Sequence, residues 1–305
     1  MRVSIASVTT AYNAAHILPR QIEALLNQTR PLQEIIVIDN GSTDNTVAML
    51  AERYPQVIVL QQPKNVGAAG GSAAGIAYAA FEKRHDWIWN FDDDSVPDTF
   101  ALEALLSGAE DISADEKIGM FAPLPVHRAS GTYYPPMLWR DGYVTPSQEM
   151  LEKPIWFADL VIASGWLLRS EAAEEIGLTR ADFFMDFFDF EYCLRLRSKG
   201  YKIAVVKACT FSHGLGDART FRLFGFSHTW SGHSPWREYY MSRNITYSVF
   251  SLYPTWKTKL FLARFLLRHA LAIVLFGEKK LAALKKMFQG VCDGIHGKLG
   301  IRFLP

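Results

Sequence analysis

Four short apolar runs near the start of the chain, with helically spaced segments between them, constrain the fold more than any other feature. They are Val3 to Val8, Glu34 to Ile38, Val57 to Leu60, and Trp87 to Phe91. Strands covered on both faces read as continuous apolar runs rather than as strict alternation. Between the first two, Ile17 to Leu26 has helical spacing, and Asn27-Gln28-Thr29-Arg30-Pro31 closes that helix. Strand, helix, strand, helix, strand, helix, strand is a doubly wound α/β pattern with helices on both faces of a mostly parallel sheet. Ligands of such sheets bind outside the carboxyl ends of the strands.

The polar segments at those ends therefore carry the functional information. Thr9-Thr10-Ala11-Tyr12-Asn13 follows the first run. Asp39-Asn40-Gly41-Ser42-Thr43-Asp44-Asn45-Thr46 follows the second, where Ser42 or Thr43 and Asp44 can turn the chain and cap a helix through Leu50. The fourth run ends in Asp92-Asp93-Asp94, and Pro97 then forbids simple continuation of the ladder. Three adjacent carboxylates repel one another. They form either a solvated turn or a seat for a divalent cation, which would also suit a bound diphosphate. Gly67, Gly70, Gly71 and Gly75 open a helix reaching Phe81, but they do not spell GxGxxG and they follow the third strand. A dinucleotide fingerprint is thereby excluded. Small residues here permit close backbone approach to a ligand or to the sheet.

Apolar residues make up 49% of the 305 residues, enough for a sizeable core, and the net charge of +1 argues against a general nucleic-acid binder. Cys193, Cys209 and Cys292 are far apart and match no zinc or CxxC spacing, so reduced thiols are expected. No charged segment followed by an apolar one precedes Val3, so the expected location is the cytoplasm.

Further along, Phe100 to Gly108 is an amphipathic helix, and Gly119 to Pro123 returns to the sheet. Residues 130–153 read as a loop or hairpin excursion. Ile162 to Leu168 leads into a helix near Arg169, and its Trp166 is either a stacking platform for a ligand or a core residue. In the aromatic stretch Asp182 to Arg197, Asp189 and Glu191 start a helix, where the dipole favours carboxylates. Apolar surroundings raise a carboxyl pKa, which suits a base that must take a hydroxyl proton. Glu191 and Arg195 are also spaced as an intrahelical ion pair. Lys202 to Ala208 is another strand, followed by Thr210 to Asp217 with His213. Arg237 and Arg243 have the fork geometry for a diphosphate, although surface pairing explains them equally.

Taken together, Thr-Thr-Ala-Tyr-Asn at 9–13, Asp39-Asn40-Gly-Ser-Thr-Asp, Asn65-Val-Gly-Ala-Ala-Gly-Gly and Asp92-Asp93-Asp94 resemble the family-2 inverting glycosyltransferases of the GT-A fold. Within that group the chain is similar to bacterial rhamnosyltransferases and galactofuranosyltransferases. The resemblance implies that Asp39 accepts from a pyrimidine ring N–H, with Thr10 and Tyr12 lining the base. It implies that Asn65 faces the nucleotide or sugar, that Asp93 touches ribose or donor sugar, and that Asp92, Asp94 and His213 hold Mn²⁺ or Mg²⁺. Asp189 would be the catalytic base, with Glu191 second to it. Trp166, Asp186, Glu191, Arg237 and Arg243 fall on the acceptor side. The implied donor is dTDP-rhamnose ahead of UDP-galactofuranose, and the acceptor is a polysaccharide or polyprenyl-diphosphate-linked glycan.

A catalytic domain is expected over 1–250, with a nucleotide-sugar half at 1–98 and an acceptor and base half at 99–250. Residues 251–305 would form a basic helical extension. Its apolar stretch is interrupted by Arg264, Arg268 and His269, so it is too polar to span a membrane. It would lie on an anionic membrane as a peripheral helix pair, or else pack on the catalytic domain or across a homo-oligomer interface. A non-catalytic sugar-nucleotide or glycan-binding module of the same fold is the rival from another class. A nucleotidyltransferase would need a basic Gly-rich loop after the first strand, which residues 9–13 lack.

Overall fold

The computed structural model describes residues 3–110, 112, 116–127, 136–213, 219–223, 226–230 and 232–304, with the backbone alone at 109–110, 127, 212–213, 219–223 and 226–230. In chain order the elements are β1 (Ile5–Ala11), α1 (Leu18–Leu26), β2 (Glu34–Asp39), α2 (Thr46–Arg53), β3 (Ile58–Gln61), α3 (Gly67–Ile76), β4 (Trp87–Asp92), β5 (Val96–Pro97), α4 (Ala101–Glu110) and β6 (Ile118–His127). There follow β7 (Leu138–Trp139), β8 (Tyr143–Val144), α5 (Gln148–Glu152), β9 (Ile155–Ala158), β10 (Leu167–Arg169), α6 (Ser170–Ile176), α7 (Phe188–Ser198) and β11 (Lys202–His213). The chain closes with β12 (Arg219–Leu223), β13 (Phe226–Trp230), α8 (Pro235–Leu252), α9 (Trp256–Phe276) and α10 (Lys280–Ile295).

The main sheet runs β3-β2-β1-β4-β10-β6-β11-β5, with β9 also on β11. The first four strands are mutually parallel, as their apolar runs predict. Several strands were not anticipated as such, among them β5, β9 and β10. Leu167 to Arg169 enters antiparallel between β4 and β6, setting Leu167 against both Trp89 and Phe121. The small-residue turn before it reverses the chain, with Gly165 at φ +84° tight against Pro123. Three residues are too few to show a period, so the segment reads as a loop in sequence.

Helices cover both faces. On one, Leu18, Ile22 and Leu25 of α1, spaced as one helical stripe, join Leu50, Leu102 and Leu105 over Ile5, Val37, Trp89 and Phe91. On the other, α3 lies so close to β1 that a Cβ at Gly71 would stand 2.2 Å from Thr10 Cγ2, and one at Gly75 2.0 Å from Val8 Cγ1. Two of the small residues in that stretch therefore serve contact between helix and sheet.

The chain forms two compact units, 1–138 with 144–181 and 189–214, and 139–143 with 182–188 and 215–305. The second contains α8, α9, α10 and the β12–β13 hairpin. In it, Leu262 of α9 packs with Ile245 and Val249 of α8. Among the described residues, no helix is long and apolar enough to cross a membrane.

Candidate active site

Sheet register places the polar strand ends together. Thr10 on β1 pairs with Asp92 on β4 on one side and Ile38 on β2 on the other, while Ala11 pairs with Asp39. Asp39 and Asp92 thus end strands that flank the same neighbour, roughly 10 Å apart at ordinary strand spacing. Tyr12 emerges between them, and its backbone N–H donates to Asp93 Oδ2 at 3.2 Å. Asp39 is almost fully buried, and both its oxygens accept from the Ser42 N–H at 3.3 Å. Asp44 accepts from the Thr46 backbone at 3.0 Å, which turns the chain into α2.

Two buried polar atoms at these strand ends, the Thr10 hydroxyl and Asn40 Oδ1, have no hydrogen-bond partner among the described residues. Orphaned groups of this kind are rare and are commonly satisfied by a ligand or water. Asn40 is fixed by its Nδ2, which donates to the Gly67 carbonyl at 3.0 Å. Asn65 Oδ1 accepts from the Gly67 N–H at 2.8 Å, closing the turn into α3.

The acidic turn is anchored from beneath by residues that sequence reasoning missed. Gln21, fully buried on α1, donates through Nε2 to the carbonyls of Asp92 at 2.5 Å and Ser95 at 2.6 Å, while its Oε1 accepts from Thr9. The Ser164 hydroxyl accepts from the Asp92 N–H at 3.2 Å and donates to Ser95 Oγ at 2.6 Å. Asn90 secures the 163–166 turn by donating to the Ala163 carbonyl and by backbone bonds with Gly165 and Trp166. A buried glutamine in an otherwise apolar helical stripe was the one available signal.

Burial drives the Asp93 carboxyl up to about 7, and the charges of Asp92 and Asp94 push the same way, against the Tyr12 N–H. Three adjacent carboxylates, one of them raised by burial, suit a hard divalent cation with oxygen ligands. Among the described residues, no three His, Cys, Asp or Glu side chains converge as a ready-made cage. The His213 backbone closes β11 opposite His127. Its side chain lies outside the described residues, as do residues 128–135 of the expected acceptor loop, residues 214–217 and the His228 side chain.

Asp189 sits at the start of α7, where Phe190 N–H donates to its Oδ1 at 2.8 Å. Glu191 is buried on the same helix, 2.7 Å from Arg195 Nε. Arg195 in turn donates to the carbonyls of Ile176 and Leu178, so this pair ties α7 to the end of α6. Trp166 is fully buried and packs on Tyr192, with ring centroids 5.6 Å apart. Its faces are covered, so the core alternative describes it and a sugar-stacking platform does not.

In the second unit, Asp186 grips Arg237 through two hydrogen-bonding nitrogens, at 2.8 Å to NH2 and 3.0 Å to Nε. Arg243 is fully buried and spends its guanidinium on the carbonyls of Asp182, Phe183 and Gly300. That arrangement does not leave it facing a diphosphate, the role its fork geometry suggested. Asn244 Nδ2 faces the carbonyls of Phe183, Met185 and Asp186. Together they hold a loop in which Phe184, Asp186 and Phe187 all take positive φ, at 65°, 55° and 66°. Non-glycine residues enter that region at a cost and cluster at functional sites.

A curled, mostly parallel sheet with acids and polar turns at adjacent strand ends defines a GT-A-type fold. The fold is shared with a crystal structure of GalNAc-T7 with UDP, GalNAc and Mn²⁺, at TM-score 0.66 and 17% identity over 96% of this chain, which spans 56% of that one. It is shared also with S. aureus TarS 1–349 in complex with UDP, at TM-score 0.59 and 14% identity, over 97% of this chain and 83% of the other. The family model for Glycosyl transferase family 2 matches residues 7–177, more than half of the chain, and the chain belongs to that family: it is a glycosyltransferase. Over 301 residues, 98% of both chains, it is 24% identical to the dTDP-rhamnosyl transferase RfbF of Shigella flexneri. Over 219 residues, 70% of this chain and 71% of the other, it is 26% identical to the galactofuranosyltransferase GlfT1 of Mycolicibacterium smegmatis.

Proposed function

We propose that this glycosyltransferase uses a nucleotide-sugar donor, dTDP-rhamnose ahead of UDP-galactofuranose, and transfers the sugar with inversion to a hydroxyl of a polysaccharide or polyprenyl-diphosphate-linked glycan. The observation that carries the donor site is the convergence of Asp39, Tyr12 and the 92–94 turn at three adjacent strand ends, with the Thr10 hydroxyl and Asn40 Oδ1 orphaned beside them. Similarity to RfbF along nearly the whole chain supports rhamnose over galactofuranose. In this reading Asp39 accepts from the pyrimidine N–H, Thr10 and Tyr12 line the base, and Asn65 and Asp93 meet ribose or sugar.

Asp189 takes the proton of the acceptor hydroxyl as that oxygen attacks the anomeric carbon and the nucleoside diphosphate departs. Asp92, Asp94 and His213 would hold Mn²⁺ or Mg²⁺, which when bound supplies positive charge against the diphosphate. Asp186 and Arg237 border the acceptor side. A lipid-linked acceptor would be met at the inner face of the cell membrane.

The test is a mass-spectrometric screen of sugar nucleotides for release of the nucleoside diphosphate, with Mn²⁺ or Mg²⁺ and with chelator. Release from dTDP-rhamnose with metal is the expected result. Release from UDP-galactofuranose alone would reverse the order of donors, and undiminished turnover of Asp189→Asn would remove the base assignment.

A further inference from the structure

We propose that the outer face of α9 is a docking surface for an anionic lipid bilayer. The helix has two unlike faces. Thr258, Leu262, His269, Ala272 and Ile273 are buried. The opposite face carries Trp256, Leu260, Leu267, Leu271 and Val274, all exposed, Trp256 to 71% and Leu267 to 72%. At 3.6 residues per turn these five fall within an arc of roughly 60°. Large aliphatic and aromatic residues in one exposed stripe, rather than scattered singly, mark an interaction surface.

The charges beside that stripe identify its partner. Lys259 borders one edge and Arg264 the other, with Arg268 and with Lys257, which pairs with Asp141 at 3.7 Å, beside Arg264, while the helix contains no Asp or Glu. Residues 256–305 hold ten of the chain's 32 Lys and Arg but only two of its 31 Asp and Glu. A second copy of this chain seated on the stripe would oppose cation to cation, the reverse of the flanking charge pairs that join helices. An anionic headgroup layer complements the positive charge on both edges while the apolar stripe enters the acyl boundary. Trp256, at the start of the helix, is a residue type that favours that interface. This proposal stands apart from the donor and acceptor reading, and its readout needs no turnover.

Sedimentation of the full chain with phosphatidylcholine vesicles, with and without phosphatidylglycerol, tests it. Binding to the anionic vesicles is expected to be at least about tenfold tighter than to neutral ones, and to weaken as salt screens the cations. Leu267→Glu with Leu271→Glu should lose most of that binding while nucleotide release in solution is unchanged, since both side chains are exposed. Lys259→Gln with Arg264→Gln should cost about fivefold per charge on anionic vesicles and leave neutral ones unaffected. Equal sedimentation with both vesicle types would overturn the proposal. So would unaltered binding by the Leu variants, or a solution dimer that those variants split into monomers.

Discussion

The side-chain amide of Gln21 lies 2.5 Å from the main-chain carbonyl of Asp92, so a helix buried beneath the sheet fixes the backbone of the acidic turn above it. Position and charge are thereby separated in this site. Gln21 and Ser164 hold the main chain of the turn from which the carboxylates of residues 92–94 project.

Replacing Gln21 with Leu keeps the apolar stripe of α1 but removes its amide hydrogen bonds to the Asp92 and Ser95 carbonyls and the acceptor of the buried Thr9 hydroxyl. Removing one partner of a buried hydrogen bond costs about 1–3 kcal/mol, so a loss of that size in denaturant unfolding is expected. Donor KM should rise by about tenfold or more, corresponding to about 1.4 kcal/mol of lost binding. A variant as stable and as active as the parent would show that the turn does not depend on this anchor.

Asp93 gives the metal-free protein a pH dependence of definite sign. Its folded-state carboxyl is raised from 3.8 to about 7, so the folded chain keeps a proton that the unfolded chain releases. The contribution is complete below the unfolded value and is lost as pH rises through about 7. Asp93→Asn should therefore gain stability relative to the parent between about pH 5 and about pH 8, measured by urea unfolding in chelator. A constant difference across that range would contradict the shift.

Gly75 and Val8 should couple. Alanine at 75 brings a methyl to 2.0 Å from Val8 Cγ1, and overpacking of this kind costs about 1–3 kcal/mol. Val8→Ala in the same chain should restore part of that loss. A double-mutant cycle in thermal or chemical unfolding measures the coupling, which should exceed about 0.5 kcal/mol. Additive losses would mean that α3 shifts bodily instead.

Asn244→Ala removes the amide that faces three carbonyls of the left-handed loop at 183–186, which precedes Asp189 in the chain. Roughly 2–3 kcal/mol of stability should be lost, by the same cost of unpaired buried groups. With Asp189 as base, kcat should fall more than donor KM rises, read from steady-state kinetics at saturating acceptor. A pure KM effect would place the loop in donor binding.

Short-range patterns were enough to locate the parallel half of the sheet. Ile5–Val8 and Trp87–Phe91 are mostly apolar because both faces of those strands are covered, and the polar turns follow where the cover ends. The acids of the candidate site were legible for the same reason. Gln21 was not, since its value depends on which carbonyls sit above α1. Arg243 read as a diphosphate ligand because fork geometry is visible in sequence, whereas its three carbonyl partners at Asp182, Phe183 and Gly300 come from distant segments.

What the sequence by itself determined was the order of the first four strands and the helices between them, the residues at their ends and the basic, apolar character of α9, all of which follow from period, composition and turn chemistry. Tertiary structure alone decided that β10 inserts antiparallel, that Trp166 is covered, and that residues 139–143 and 182–188 join the C-terminal helices. The physical reason is the range of the interactions: periodicity acts over a few neighbours, while burial and pairing of a single side chain depend on segments tens to hundreds of residues away.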